Sequence, residues 1–255
     1  MLIDGINSDL LGPAFVAGLL VLATHVPLGQ QVLRRGIVFI DLAVAQVAAL
    51  GLLASDLLGI EPTGWLMQGV ATLSAVCAAL LLTWTEKRWA ATQEALIGSM
   101  FVLAASAALL VLAHNPHGGE HLRDLLSGQI LWVTWHDLGP LALASLLVLG
   151  LWGLESIRSN SLWFYLLFAI TVTMSVQIVG VYLVFSSLIL PALAVRTWRA
   201  SRQLAGGYAI GATAYLLGLG ASAVFDLPSG AVIVWALAVV GLSCNLVRRT
   251  IPGKL

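Results

Sequence analysis

Between residues 162 and 195 the chain runs for 34 positions without a single Asp, Glu, Lys or Arg, and this uncharged length limits more than any other feature how it can fold. A bilayer core of ~30 Å is crossed by about 20 apolar residues in a helix, so the run is too long for one crossing and short for two. Gly180 and Pro191 inside it predict two short or broken helices. Further apolar runs lie at residues 10–28, 37–58, 65–85, 94–113, 138–154, 208–225 and 230–247, punctuated by charge, Pro and Gly. The last two are separated by the turn Asp226-Leu227-Pro228-Ser229. An all-α, polytopic transmembrane bundle of about nine spans is expected, with residues 1–255 forming a single transmembrane domain. A water-soluble domain is excluded: hydrophobic residues make up 60% and charged residues 9% of the chain, against about 25% charged in soluble domains.

Twelve basic residues balance twelve acidic ones, which leaves no basic surface for nucleic acid and no polybasic tail for lipid headgroups. Cys77 and Cys244 each sit in an apolar run, where a thiol serves as a small hydrophobe. Asp4 and Asp9 stand where a cleaved signal would carry Lys or Arg, so the first apolar run is expected to be retained. The basic residues cluster at Arg34/Arg35, Lys87/Arg88, Arg158, Arg196/Arg199/Arg202 and Arg248/Arg249/Lys254. With nine spans, every Lys and Arg except Arg123 falls on one side, which the positive-inside rule makes cytoplasmic. The N-terminus is then outside and the C-terminus inside.

The outer connections carry Asp56, Glu61, Asp226 and an imidazole-rich stretch, His114-Asn-Pro-His117-Gly-Gly-Glu120-His121. Imidazole and carboxylate suit zinc and manganese, and Pro116, Gly118 and Gly119 let such a loop fold back. Its alternatives are a solvated loop or a place of weak metal capture. Asp41 differs in kind, because it lies one turn into the second span. An intramembrane carboxylate marks a path or the bundle interior, unless it pairs with Arg34 or Arg35. Gln46, five residues on, lies ~140° around an ideal helix from Asp41, so the two share a site only through irregularity or a partner span. Gln68, Gln177 and Ser186/Ser187 read as helix–helix hydrogen bonds, and His25 as a packed histidine. No phosphate-loop, zinc-protease or serine-hydrolase pattern occurs, so the chain has no catalytic constellation, and Leu126-Ser127-Gly128-Gln129 alone does not bind ATP.

Four segments carry a resemblance. Arg35-Gly36 with Phe39 and Asp41, followed by 46–51, is similar to the second-helix signature of the membrane permeases of ABC-type zinc/manganese/iron uptake systems. Residues 120–137 look like the segment before that family's fifth helix, and 179–196 and 222–230 match further on. The resemblance implies a homodimeric permease of the bacterial inner membrane that imports a divalent transition metal as its substrate. It also implies cytoplasmic ATPase subunits, an extracytoplasmic metal-binding protein and no permanently bound cofactor. The metal residues are then Asp41, Gln46, His114, His117, Glu120 and His121, with zinc favoured over manganese or iron for the imidazole of the outer loop. The ATPase contacts are Arg158, Arg196, Arg199 and Arg202. Two departures stand out: Ala45 occupies the place of a family histidine, and the connection at 154–161 is much shorter than the family's coupling segment. A gradient-driven secondary transporter with a midplane site at Asp41 and the Gly180/Pro191 break is the rival reading.

Overall fold

The computed structural model describes residues 8–57, 65–112, 128 and 130–250. Among the described residues the regular structure is helical, with no strand. In chain order the helices are α1 (Ser8–Arg35), α2 (Ile40–Leu57), α3 (Trp65–Trp89), α4 (Gln93–Leu112), α5 (Leu138–Trp152), the single turn α6 (Glu155–Arg158), α7 (Ser161–Val179), α8 (Val181–Val195), α9 (Ala200–Phe225) and α10 (Ser229–Thr250). Five segments are long and apolar enough to cross a membrane: Leu10–Arg35, Gln68–Leu112, Ser161–Val179, Ala200–Phe225 and Ser229–Leu246. The second of these holds both α3 and α4, and three shorter apolar helices accompany the five.

The packing obeys membrane rules. Small residues fill much of the interior, among them Ala14, Ala17, Ala43, Ala45, Ala71, Ala75 and Ala79, while large apolar side chains point outward, with Leu103 69% and Trp235 72% exposed. Such an outer surface is a liability in water and a match for lipid, and small interior residues let helix backbones approach closely. Gly29 of α1 is the clearest case, because a Cβ there would run into the carbonyl oxygen of Leu188 on α8. Helix α1 packs against α5, α7, α8 and α9, and α2 against α3, α4 and α7. The pairs α3–α7, α8–α9, α8–α10 and α9–α10 add further packing.

Helix α1 continues about two turns past residue 28, with Pro13 and Pro27 inside it. It stops at Gly36, whose φ of 70° only glycine adopts at little cost. There the N–H of Gly36 donates to the Leu33 carbonyl at 3.4 Å and that of Ile37 to the Val32 carbonyl at 3.3 Å. This paired arrangement closes a helix end, and Val32 and Ile37 are both buried. The expected break in 162–195 lies at Gly180, with φ 80° and ψ 162°, between α7 and α8. Gly128 abuts the backbone of Val179 and Gly180 at that point. Pro191 does not interrupt α8.

Candidate functional site

The candidate site begins in the first turn of α2. Asp41 is 1% exposed, and among the described residues no side chain bonds either carboxylate oxygen; the backbone N–H groups of Asp41 and Leu42 at the helix start are the groups that favour its charge. The arginines offered by the sequence as its counter-charges are engaged elsewhere. The Nη1 of Arg35 donates to Glu86 Oε1 at 3.2 Å and to Ser161 Oγ at 3.0 Å, and its guanidinium lies 4.4 Å from the centre of the Phe164 ring. Arg34 donates through Nη2 to Gln203 Oε1 at 3.3 Å. The start of α2 is held by α4 instead, where Glu94 Oε1 accepts the Phe39 N–H at 3.3 Å, an anion at the positive end of a helix.

Gln46 faces elsewhere. With Leu42 it lines a mostly apolar cleft of about 520 Å³ that is shared with Phe101 of α4, Tyr182 and Ser186 of α8, and Trp235 of α10. Asp41 is not on this lining, in keeping with the ~140° that separates positions five apart on a helix. Ser187, beside Ser186, makes the expected interhelical bond, 2.8 Å to the hydroxyl of Tyr215 on α9. His25 is fully buried, with Nδ1 2.8 Å from the Val21 carbonyl.

A second cleft, of about 470 Å³, is lined by Gln68 of α3, Gln177 of α7, and His136 and Asp137 before α5. Thr134 donates its backbone N–H and hydroxyl to Asp137 Oδ2 at 2.9 and 2.7 Å, and these two bonds hold the Asp137 carboxyl below its ordinary range. His114, His117, Glu120 and His121 lie outside the described residues. Among the described residues no three His, Cys, Asp or Glu side chains come together as a metal site.

The hydrogen bonds also gather four connections at one end of the bundle. Arg35 joins the end of α1 to Glu86 of α3 and to Ser161 at the start of α7, while Arg34 reaches Gln203 of α9. Arg158, Arg196, Arg199 and Arg202, the ATPase contacts expected from the sequence, belong to two of the segments gathered there, and all four are exposed. Glu86, Gln93, Glu94, Ser161 and Gln203 were not singled out from the sequence, yet they organise this end: Gln93 donates to the Leu82 carbonyl and to the Tyr165 hydroxyl at 3.0 and 3.1 Å. Their only sequence signal is an acidic or amide group beside a basic cluster.

Residues 7–156 and 153–247 match the model of the ABC 3 transport family. The chain belongs to this family. The two matched pieces overlap at residues 153–156, at the start of the 154–161 connection. Over 140 residues the chain is 29% identical to a protein of Chlamydia pneumoniae named as a probable metal transport system membrane protein, an alignment that spans 48% of each chain. It is 23% identical over 247 residues to the high-affinity zinc uptake system membrane protein ZnuB of Haemophilus influenzae, covering 89% of this chain and 93% of that one. The fold is similar to that in the structure of PsaBC from Streptococcus pneumoniae in complex with Fab, at a TM-score of 0.73, 21% identity and 96% and 95% coverage. Family and apolar helices together make the chain a multi-pass permease of the bacterial inner membrane.

Proposed function

We propose that this ABC 3 family permease imports a divalent transition metal, zinc before manganese or iron, and that a separate cytoplasmic ATPase drives it. The observation that carries the reading is Asp41: a carboxylate 1% exposed, on an apolar helix, with no side-chain partner for either oxygen among the described residues. Burying an unpaired charge is costly, so such a group persists where something that binds it contributes to fitness. A dehydrated divalent cation needs charge neutralisation, and one carboxylate per subunit provides it without trapping the ion. Each subunit of a homodimer would carry its own Asp41, since the carboxylate is buried within its subunit, with backbone carbonyls as neutral neighbours, Gln46 of the same helix facing a separate cleft. The names of the relatives favour a metal, and ZnuB favours zinc.

In this reading residues 1–255 form one permease domain of nine spans, with the basic end cytoplasmic and the N-terminus outside. An extracytoplasmic metal-binding protein delivers the ion. His114, His117, Glu120 and His121 capture metal at the outer mouth, and Arg158, Arg196, Arg199 and Arg202 meet the ATPase. The test is isotope uptake of zinc and manganese by vesicles containing the chain with and without the ATPase subunit that co-purifies with it. Uptake should require ATP and the partner, and Asp41→Asn should abolish it while leaving insertion and partner binding intact. Uptake under an ion gradient alone would favour the secondary-transporter reading, and substantial uptake by Asp41→Asn would remove the carboxylate from the path.

A further inference from the structure

The two arginines that end α1 hold two different cytoplasmic-end segments. Successive residues on a helix point ~100° apart, so Arg34 and Arg35 reach different neighbours from one turn. Arg34 donates to Gln203 Oε1 at 3.3 Å, and the amide nitrogen of the same Gln203 donates to the carbonyls of Arg196 and Trp198 at 3.2 and 3.1 Å. The side chain of Gln203 thereby ties the basic turn before α9 to the end of α1. Arg35 donates through one nitrogen to Glu86 at 3.2 Å and to Ser161 at 3.0 Å, and lies 4.4 Å from the centre of the Phe164 ring. Ser161 opens α7 shortly after α6, and Asn160 caps that helix by accepting the Leu162 N–H at 2.9 Å. The shortened connection is therefore tied to α1 as well.

The chain beyond Arg35 has little slack. Gly36 and Ile37 close α1 through their bonds to Leu33 and Val32, Glu94 holds the Phe39 N–H at 3.3 Å, and Asp41 comes six residues after Arg35. From this geometry we infer that Arg34 and Arg35 are positioning residues that couple the ATPase-facing segments 196–203 and 155–161 to the helix turn carrying Asp41. Movement of either segment pulls on the end of α1, and the closed turn at Gly36 passes that movement to α2. Arg suits the Arg35 position better than Lys, since its planar guanidinium lies against the Phe164 ring while Nη1 serves both acceptors. Among the described residues Arg35 Nε and Glu86 Oε2 have no partner in this arrangement, which leaves the joint spare donor and acceptor capacity for a second one.

The inference rests on the proposed reading that an ATPase drives transport, and the experiment separates the two. The permease is reconstituted in vesicles with its co-purified ATPase subunit, and zinc or manganese transported per ATP hydrolysed is measured for the natural chain, Gln203→Leu, Glu86→Gln, Arg35→Lys and Gln203→Glu. Gln203→Leu and Glu86→Gln should retain ATP hydrolysis within about twofold and lower metal moved per ATP about tenfold, the scale of one lost charge-assisted bond. The amount of ATPase bound should not change. Arg35→Lys should uncouple partially. Gln203→Glu, which offers Arg34 a charged acceptor, should stay coupled. If uptake by the natural chain does not depend on the ATPase, the proposed reading fails and the node with it. If the natural chain is coupled and Gln203→Leu and Glu86→Gln are equally coupled, the node alone is overturned. The node is likewise overturned if hydrolysis and uptake fall in equal proportion, since a purely structural role would lower both.

Discussion

Asp41→Asn should leave the stability of the metal-free protein nearly unchanged while removing its response to metal. A buried carboxyl avoids most of the several-kcal/mol cost of ionisation by taking up a proton, so what remains in the metal-free chain is an incompletely satisfied polar group. Asparagine keeps the shape, cannot ionise, and leaves a buried amide unsatisfied at a cost of about 1–3 kcal/mol. With Asp41 1% exposed, the two costs nearly cancel, and the variant should lie within about 1 kcal/mol of the natural chain. For a chain of this length that is a change in Tm of no more than roughly 4 °C. The assay is thermal unfolding of the detergent-solubilised, chelator-treated chain, with and without added zinc or manganese. Metal at ~100 times its Kd should stabilise the natural chain by about 2.7 kcal/mol and leave the variant unmoved. A metal-free variant that melts more than roughly 4 °C below the natural chain would show that the carboxylate is held by a structural partner. An equal response to metal would show that Asp41 is not a ligand.

Gly180→Ala should lower stability by about 1–3 kcal/mol, because φ 80° with ψ 162° is a glycine conformation; an unchanged Tm in the same unfolding assay would mean that the α7–α8 break does not depend on it. Charge reversal at the exposed Arg199 and Arg202 should separate ATP hydrolysis from uptake, and unchanged metal-stimulated hydrolysis and uptake in the double variant would remove them from the partner contact. The carboxyl of Asp137 is held below its ordinary range by Thr134. Its contribution is therefore complete above the unfolded value of about 3.9 and is lost as pH falls through the lower folded value. Amide exchange at Thr134 should show that acid-side loss of protection in the natural chain, and Asp137→Asn should show no such step.

Local chemistry made part of this architecture legible. The break at Gly180 could be read because few other residues tolerate its backbone conformation, and the burial of Asp41 because a carboxylate that far into an apolar run has few other options. The end of α1 was harder to read. Pro27, Gly29, Gln30 and Gln31 look like a boundary, yet Gly29 lies flush against the α8 backbone, and the stop signal in use is Gly36. Pro191 was a weaker guide than Gly180 because apolar spans tolerate a proline once neighbouring groups satisfy the freed carbonyl. Ties such as Arg34 to Gln203, 169 residues apart, or Arg35 to Glu86, 51 apart, are set by how whole helices dock, and no local pattern encodes them. The position of Gln46 marks it as polar and intramembrane; that it lines a cleft with α4, α8 and α10 depends on the fold.

The distribution of charge joins the fold to the proposed mechanism. A chain with only 9% charged residues has few of them to place, and the ion pair between Arg35 and Glu86 sits where the two side chains are 15% and 22% exposed. There, near the end of the helices, partial solvation keeps the desolvation cost of the pair moderate. Asp41 lies one short turn further into the bundle and has none of that relief. A sequence optimised for stability alone would place an apolar residue at this position, since a buried polar group without a side-chain partner carries a cost that an apolar side chain does not. Its neighbours Ala43, Val44 and Ala45 offer no hydrogen bond from their side chains, and the nearest arginines are engaged in the joints on either side. Among the described residues the carboxylate is thus left without a side-chain partner by the same contacts that fix the turn before it. In the proposed mechanism a group so placed, next to a turn tied to two basic segments, changes its surroundings when those segments move, as handing a cation across a membrane requires.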